Sequence, residues 1–405
     1  MDNQNLYWIW LTLRPRLGAK GQRELLRDFG APAAVYGAEA EALTRAGLSP
    51  ALVRALGQKD LGPAREILKR CAETGVRVLT LADAAYPSRL RLQEDAPALL
   101  YYNGTLPGAD RPVIGLVGAR DADGAGLALA FRLGAEIAAC GGSVVTGMAR
   151  GVDARSAEGA LDRGGFVIGV LGCGPDLVYP RENAALFARV AERGCLLSEY
   201  PPGTAPNAKH FPIRNRLISA LSDGVAVVRA AENSGSLITA RWAAQQGRDV
   251  FAVPGAPDDP LSRGCNALLR DGAFAASSGW DILRRYEFRY PSSVARAICP
   301  PPPEAAGNRK QAAGDGGRGS LDAPPEHEQP RRDGTLPSAP ARDAIDLSAL
   351  TPIQRRIVEA LGDGPLQLDA LIDRLGLPAA QVLTQLTLLQ VKKLVAQKPG
   401  KIYEL

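Results

Sequence analysis

Histidine is nearly missing from this chain: 405 residues hold only two, His210 and His327. A histidine-based catalytic centre or a zinc site is hard to build from so few. The six cysteines, at 71, 140, 173, 195, 265 and 299, form no CxxC pair. Most lie in apolar surroundings, so they are expected to be reduced packing residues of a cytosolic protein. No G-x-S-x-G nucleophile elbow and no G-x-G-x-x-G dinucleotide fingerprint occurs where the strands would need one. No uncharged apolar run reaches about 18 residues, which argues against a membrane span. The start, MDNQNLYWIW, lacks a basic region followed by an apolar one, so no secretion signal is expected there. Net charge is +5, mildly basic and compatible with a polyanionic partner without requiring one.

What is present falls into four parts. Residues 1–75 read as short helices, with apolar residues at helical spacing in RELLRDFG, EALTRAGL and ALVRALG. Gly30, Gly47 and Gly57 stand at the expected C-terminal caps, as in a SAM-like or helix-hairpin-helix module. Over 76–290, apolar runs alternate with amphipathic helices. The runs are VIGLVG (113–118), SVVTG (143–147), FVIGVLG (166–172), GCLLSE (194–199), VAVV (225–228) and DVFAVPG (249–255). Continuous apolar strands between helices predict an α/β domain, a doubly wound, Rossmann-like parallel sheet covered on both faces. Ligands of such sheets bind at the carboxyl ends of the strands, near the topological switch point. Residues 291–345, with PPPP at 300–303 and GDGGRG at 314–319, have the composition of a flexible linker. Residues 346–405 suggest three helices and a hairpin, the order of a winged helix. Its third helix carries no Lys or Arg from Pro378 to Val391, while Lys392, Lys393, Lys398 and Lys401 fall in the wing. That pattern predicts protein contact or weak backbone contact rather than major-groove reading.

Five loops carry the chemistry. The first strand ends in GLVGARDADGAG, where Gly118 permits a tight turn and Arg120 sets a cation at the strand end, suited to phosphate. The second ends in TGMARGVDARSAEGAL (146–161). Thr146, Gly147 and Gly151 lie beneath a helix start, an arrangement that can offer backbone N–H groups to a phosphate. Asp153 fits the same helix dipole without any ligand role. The third leads to LGCGPDLVYPREN, with Arg181 at the same strand end as Arg120. After the fifth strand, Ser234, Gly235 and Ser236 form another helix-start loop able to donate hydrogen bonds, with no histidine to make either serine a nucleophile. Between these last two lies NAKHFPIRNRLISALSDG (207–224), in which Lys209, Arg214 and Arg216 surround Phe211. Cations that neutralise phosphates beside a ring that stacks on any base are the elements of sequence-independent single-strand binding. Taken alone the segment also reads as a solvated turn.

Together these loops resemble the DprA/Smf family, DNA-processing proteins of bacterial natural transformation. The resemblance spans residues 85–285 through GARDADGAG, TGMARGVDA, VIGVLGCGPDLVYPREN, LLSEYPPGTAP, HFPIRNRLISALS, SGSLITARWAAQQGRDVFAVPG and SRGCNALLRDGA. It implies an extended Rossmann domain that binds single-stranded DNA without turnover or cofactor, protects it and helps load RecA. It further implies a homodimer formed through that domain. By motif, Gly118 and Arg120 belong to the first glycine loop, and Gly147, Ala149 and Gly151 to the second. Arg181 holds the basic position after YP, and Lys209, Phe211, Arg214 and Asn215 lie in or beside F-P-x-R-N-R. Arg120 and Lys209 would meet phosphates, Phe211 a base, and Arg216 would brace the fold. Several positions depart from the family pattern. Ala119 replaces Thr or Ser, Asp123 a common Ser, Thr146 a Ser, Ala157 a frequent His, and Arg229 the usual Glu. Asp123 would add a negative charge near a phosphate site. The alternative is a nucleotide or phosphoribosyl hydrolase on a related fold, which would want a P-G-G-x-G-T-x-x-E loop where this chain has AENSGSLITA.

Overall fold

The computed structural model describes residues 3–294, 351–362, 364–376, 382, 385, 386, 389, 394–398 and 402–404. The chain forms two compact units, 1–311 and 312–405. In the first unit, six helices come first: α1 (Asn3–Thr12), α2 (Ala19–Phe29), α3 (Pro32–Gly37), α4 (Ala40–Arg45), α5 (Pro50–Leu56) and α6 (Gly62–Thr74). Gly30 and Gly57 are the C-caps of α2 and α5, and Gly47 follows Ala46, the cap of α4. Their apolar faces close around Ile9, Trp10, Leu25, Val35 and Leu56, and Val76, Leu99 and Tyr101 join the same cluster. Those three belong to the next segment, so the helices pack on the edge of the sheet that follows.

That sheet has nine strands. They are β1 (Arg77–Thr80), β2 (Leu99–Gly104), β3 (Val113–Val117), β4 (Ser143–Thr146), β5 (Val167–Leu171), β6 (Cys195–Ser198), β7 (Gly224–Val227), β8 (Asp249–Ala252) and β9 (Phe274–Ala275). Between them run α7 (Ser88–Arg91), α8 (Gly124–Ala139), α9 (Val152–Asp162), α10 (Ala184–Arg193), α11 (His210–Leu221), α12 (Ser236–Gln245), α13 (Arg263–Arg270) and α14 (Gly279–Leu283). The spatial order is β1-β2-β6-β5-β4-β3-β7-β8-β9. All pairings from β6 to β9 are parallel, whereas β2 runs antiparallel to both β6 and β1. The six apolar runs became β3 to β8. The antiparallel pair β1–β2 extends the sheet beyond them.

Both faces are buried, which is why the strands read as unbroken apolar runs. On β3, Ile114 and Leu116 enter the core beneath α8, α9, α10 and α14, while Val113 and Val117 enter the opposite core beneath α11, α12 and α13. Helices α8 and α9 touch through glycine: a Cβ at Gly134 would lie 2.0 Å from Ser156 O, and one at Gly159 2.0 Å from Phe131 O. Cys71, Cys173, Cys195 and Cys265 are free and buried, as expected, but Cys140 is disulfide-bonded, contrary to the expectation of reduced thiols.

The second unit holds α15 (Pro352–Gly362), α16 (Leu368–Leu375) and a three-stranded sheet of β10 (Leu366–Gln367), β12 (Ile402–Glu404) and β11 (Ala396–Lys398), in that order. Ile357, Leu361, Leu371, Val382, Leu386, Leu389 and Tyr403 share one core. Most of the third helix, most of the linker, and Lys392, Lys393 and Lys401 lie outside the described residues, while Lys398 ends β11.

Candidate functional site

Strand order fixes where a site can form. From β3 the chain steps outward through β4, β5 and β6, then returns to the other side of β3 with β7. The loops after β3 and β7 therefore diverge and leave a crevice between them at the carboxyl ends. A cavity of about 540 Å³ fills it, lined among others by Gly118, Arg120, Ala149, Phe211, Asn215 and Ser234. A smaller one of about 230 Å³ shares Arg120, Ala149, Tyr179 and Phe211 with it. Five loops predicted from separate motifs converge here.

The loop after β3 is shaped by close approach. A Cβ at Gly118 would sit 2.7 Å from the Val152 side chain, so glycine lets the start of α9 come up against it. Ala119 donates its N–H to Arg229 O (2.8 Å) and accepts from Val152 N (3.1 Å). Arg120 then projects to solvent, its guanidinium carbon 5.7 Å from the centre of the Phe211 ring. Asp123 resolves differently from the sequence expectation. Its Oδ1 accepts from Gly126 N (3.0 Å) at the start of α8, and its Oδ2 pairs with Arg229 Nη2 at 2.9 Å. Arg229 also binds Asp259 and Ser262 Oγ. Two departures from the family pattern thus face one another, and the charge of Asp123 is neutralised locally rather than set against a phosphate.

The loop after β4 carries a correction. Gly147 and Ala149 were expected to offer free amides, yet both donate to Asp153 Oδ2, at 3.1 and 3.4 Å. The carboxylate supplied by α9 satisfies those donors, so they are not available to a phosphate. Met148 between them has φ 58°, a left-handed conformation uncommon for a non-glycine residue, and its carbonyl accepts from Asn183 Nδ2 (3.1 Å). Gly151 turns the chain at φ 76°. A Cβ there would lie 2.3 Å from Ala119 O and 2.4 Å from Arg120 O, so the glycine is needed to seat the Arg120 loop.

Arg214 is also placed differently from a surface cation. Only 4% exposed, it donates Nη1 to Gly147 O (2.8 Å) and to Val170 O, and faces Asp153. Burial pulls its guanidinium down to about 10 against the opposing pull of Asp153. Burial pushes the Asp153 carboxyl up, against the charge of Arg214. Arg214 is the floor of the cavity more than its rim. Arg216 braces the fold as expected, bonded to Glu199, to Asp95 Oδ2 (3.4 Å) and to Asp95 O (3.1 Å).

Three of the predicted cations are free of ion pairs. Arg120, Arg181 and Lys209 are all exposed, and among the described residues none of them enters an ion pair, unlike Arg150, which meets Glu182 at 3.5 Å and Asp121 at 4.0 Å. Arg120 lines both cavities. Arg181, in a short 3-10 turn, and Lys209, just before α11, stand outside the linings. Phe211 lies in the first turn of α11, over Gly172, where a Cβ would be 3.0 Å from the ring. Asn215, one turn on, reaches Gly235 O at 3.4 Å.

Tyr179 went unassigned in the sequence although its neighbour Arg181 was singled out. It is 43% exposed, lines both cavities and meets Phe211 with ring centres 5.5 Å apart and 32° between planes. Its loop is tied to the helical segment: Asp176 pairs with Arg70 (3.1 Å) and accepts from Gly203 N (2.8 Å). The signal in the sequence was an aromatic beside a basic residue in a strand-end loop. His210, stacked on Tyr200 at 4.0 Å, binds Gly172 O through Nδ1 (3.0 Å) and so helps hold the start of α11. No group of three or more metal-capable side chains occurs among the described residues, and no described helix is long and apolar enough to cross a membrane.

Comparison with known proteins agrees with this geometry. Residues 77–287 match the family described as DNA recombination-mediator protein A, and 338–401 match the DprA winged helix domain. DNA processing protein DprA of Bacillus subtilis is 42% identical over 219 residues, 54% of this chain and 73% of the relative. Protein Smf of Synechocystis is 32% identical over 86% of this chain and 85% of its own. The X-ray structure of DNA processing protein A from Streptococcus pneumoniae superposes with a TM-score of 0.60 at 32% identity, covering 69% of this chain and 97% of that one. By the match over 77–287 and the near full-length likeness to Smf, this chain belongs to the DNA recombination-mediator protein A family, the DprA/Smf proteins.

Proposed function

We propose that this protein holds single-stranded DNA in the switch-point groove without chemical turnover. The observation that carries the reading is Arg120: exposed, without an ion-pair partner among the described residues, and set beside the Tyr179–Phe211 ring pair at the rim of the cavity. A cation beside an exposed aromatic platform binds backbone and base together, and a ring face accepts any base. Arg120, Arg181 and Lys209 meet phosphates. Phe211 and Tyr179 meet bases. Gly118 and Asn215 shape the wall, while Gly147, Ala149, Gly151 and Arg214 hold it in place. Asp153, the one carboxylate lining the larger cavity among the described residues, is occupied by two amides and Arg214. Glu232, in the loop where a hydrolase would place its glutamate, is exposed and outside that lining. Both observations support binding over hydrolysis.

Family membership extends the proposal. The protein acts in the cytoplasm during natural transformation, protects the incoming strand, passes it to RecA and works as a homodimer. The helical segment, the linker and the winged helix are auxiliary parts around the 76–290 binding domain. The test of the core claim is fluorescence anisotropy with a labelled 20-nucleotide oligo-dT and a duplex of equal length, titrated with salt. Single-strand affinity should fall linearly on log–log axes, with about 0.7 of slope per phosphate neutralised. Equal affinity for duplex, or no salt dependence, refutes the assignment.

A further inference from the structure

Neither ring of the Tyr179–Phe211 pair stands on a strand. The loop after β5 (172–180) meets Phe211 twice: Gly172 lies against the ring and Tyr179 packs beside it. The loop after β6 (199–209) runs straight into α11, whose second residue is Phe211. The spacing of the rings therefore depends on what joins these two loops. Asp176, near the middle of the first, accepts from Gly203 N of the second on Oδ1 (2.8 Å). Gly174 N donates to Thr204 O (2.9 Å), a second stitch beside it. Both glycines allow the approach. A Cβ at Gly174 would lie 2.8 Å from Gly203 N, and Gly203 turns the chain at φ 84°.

The other oxygen of Asp176 is held from the helical segment. Arg70 of α6 donates to Oδ2 from Nη2 (3.1 Å) and from Nε (3.2 Å). The Asp176 side chain is only 6% exposed, so Arg70 supplies the cation that a buried carboxylate needs. The same guanidinium lies against Gly203, where a Cβ would collide with it. Helix α6 is a fixed base for this contact, since its Ala64 and Cys71 are buried in the helical core. Arg70 itself lines neither cavity of the groove. We infer that Arg70 is a positioning residue: through Asp176 it sets the spacing of Tyr179 and Phe211, and so gives the helical segment a part in binding without contact to the strand. This rests on the single-strand reading and deepens it.

The test compares Arg70→Ala and Arg70→Lys in the full chain with Arg23→Ala. Arg23 ties the same helical segment to Arg91 O and Gln93 O (both 2.7 Å), outside both groove cavities. Native-state hydrogen exchange needs no DNA: Arg70→Ala should speed exchange at Gly174 and Gly203 by about ten-fold or more and leave β5 and β6 protected. In anisotropy with oligo-dT, Arg70→Ala should weaken binding about three- to ten-fold, because the rings are no longer preset. The salt slope should not change, since no phosphate contact is lost. Arg70→Lys keeps a cation on Asp176 and should recover most of the loss, while Arg23→Ala should stay within about two-fold of the native chain. Tyr179→Ala should cost less in the Arg70→Ala chain than in the native one. Arg70→Ala combined with Asp176→Asn leaves no unpaired carboxylate, keeps an acceptor for Gly203 N and should bind as weakly as Arg70→Ala; it replaces that variant if Arg70→Ala does not fold. Native affinity in either folded chain, or an equal loss in Arg23→Ala, overturns the positioning role. A slope lowered by about 0.7 overturns it too, making Arg70 a phosphate ligand. Unchanged exchange in Arg70→Ala defeats the clamp alone and leaves the groove standing, whereas an unaltered chain that does not bind oligo-dT defeats the single-strand reading and the role of Arg70 with it.

Discussion

Replacing Phe211 by Ala separates a base-stacking ring from a packing ring. The ring is partly buried, lies over Gly172 and Tyr179, and faces the cavity between two guanidinium groups at 5.7 and 5.8 Å from its centre. Truncating a fully buried Phe costs about 3–5 kcal/mol, and a ring open on one side should cost roughly half that or less, leaving the chain folded. Stacking of one base on an aromatic side chain contributes about 1–3 kcal/mol, or roughly 5- to 150-fold in affinity. Anisotropy with oligo-dT should therefore show a loss in that range at every salt concentration. The salt slope should stay at its original value, because no charge is removed. Arg120→Ala should do the reverse and lower the slope by about 0.7. Tyr179→Ala should weaken binding as well, but less than additively with Phe211→Ala, since the rings touch and share one base. Native affinity in a folded Phe211→Ala chain would refute the stacking argument, and a reduced slope would mean that the ring acts through Arg120.

Other expectations follow from particular contacts. Gly151→Ala should cost on the order of 1–3 kcal/mol in urea denaturation, because its φ of 76° and the carbonyls at 2.3 and 2.4 Å leave no room for a Cβ; an unchanged midpoint would show that the loop is slack. Arg229→Glu sets a carboxylate against Asp123 and Asp259 and should lower stability by roughly 1–2 kcal/mol, with Asp123→Ser in the same chain recovering part of the loss. Independent, additive effects would show that the pair is not coupled. Burial pushes the thiols of Cys71, Cys173 and Cys265 up to about 11 and that of Cys195 to about 12. At pH 8 about one in a thousand or fewer would be thiolate, so iodoacetamide should label them slowly in the native chain and rapidly in urea. Their folded values lie above the ordinary 9.0, so the stability they contribute is complete below pH 9 and lost as pH rises through 11–12. Rapid stoichiometric labelling of the native chain at pH 8 would contradict that burial.

Much of this protein was legible in the order of its residues. Six unbroken apolar runs could only be strands covered on both faces, and the helices between them forced a parallel sheet with its loops at the carboxyl ends. Gly118, Arg120 and Phe211 were recognisable because their chemistry is local: a turn, a free cation, a ring among cations. What pairs across the fold was not legible. Asp123 looked like an unwelcome charge until it met Arg229, 106 positions away, and Arg214 looked like a surface ligand until α11 placed it beneath the groove against Asp153. The amides of Gly147 and Ala149 looked available until Asp153 occupied them. Sequence sets which groups can bind a phosphate or a base. Only the packing of distant segments decides which of those groups are already satisfied, because a hydrogen bond or an ion pair depends on separation in space and not along the chain.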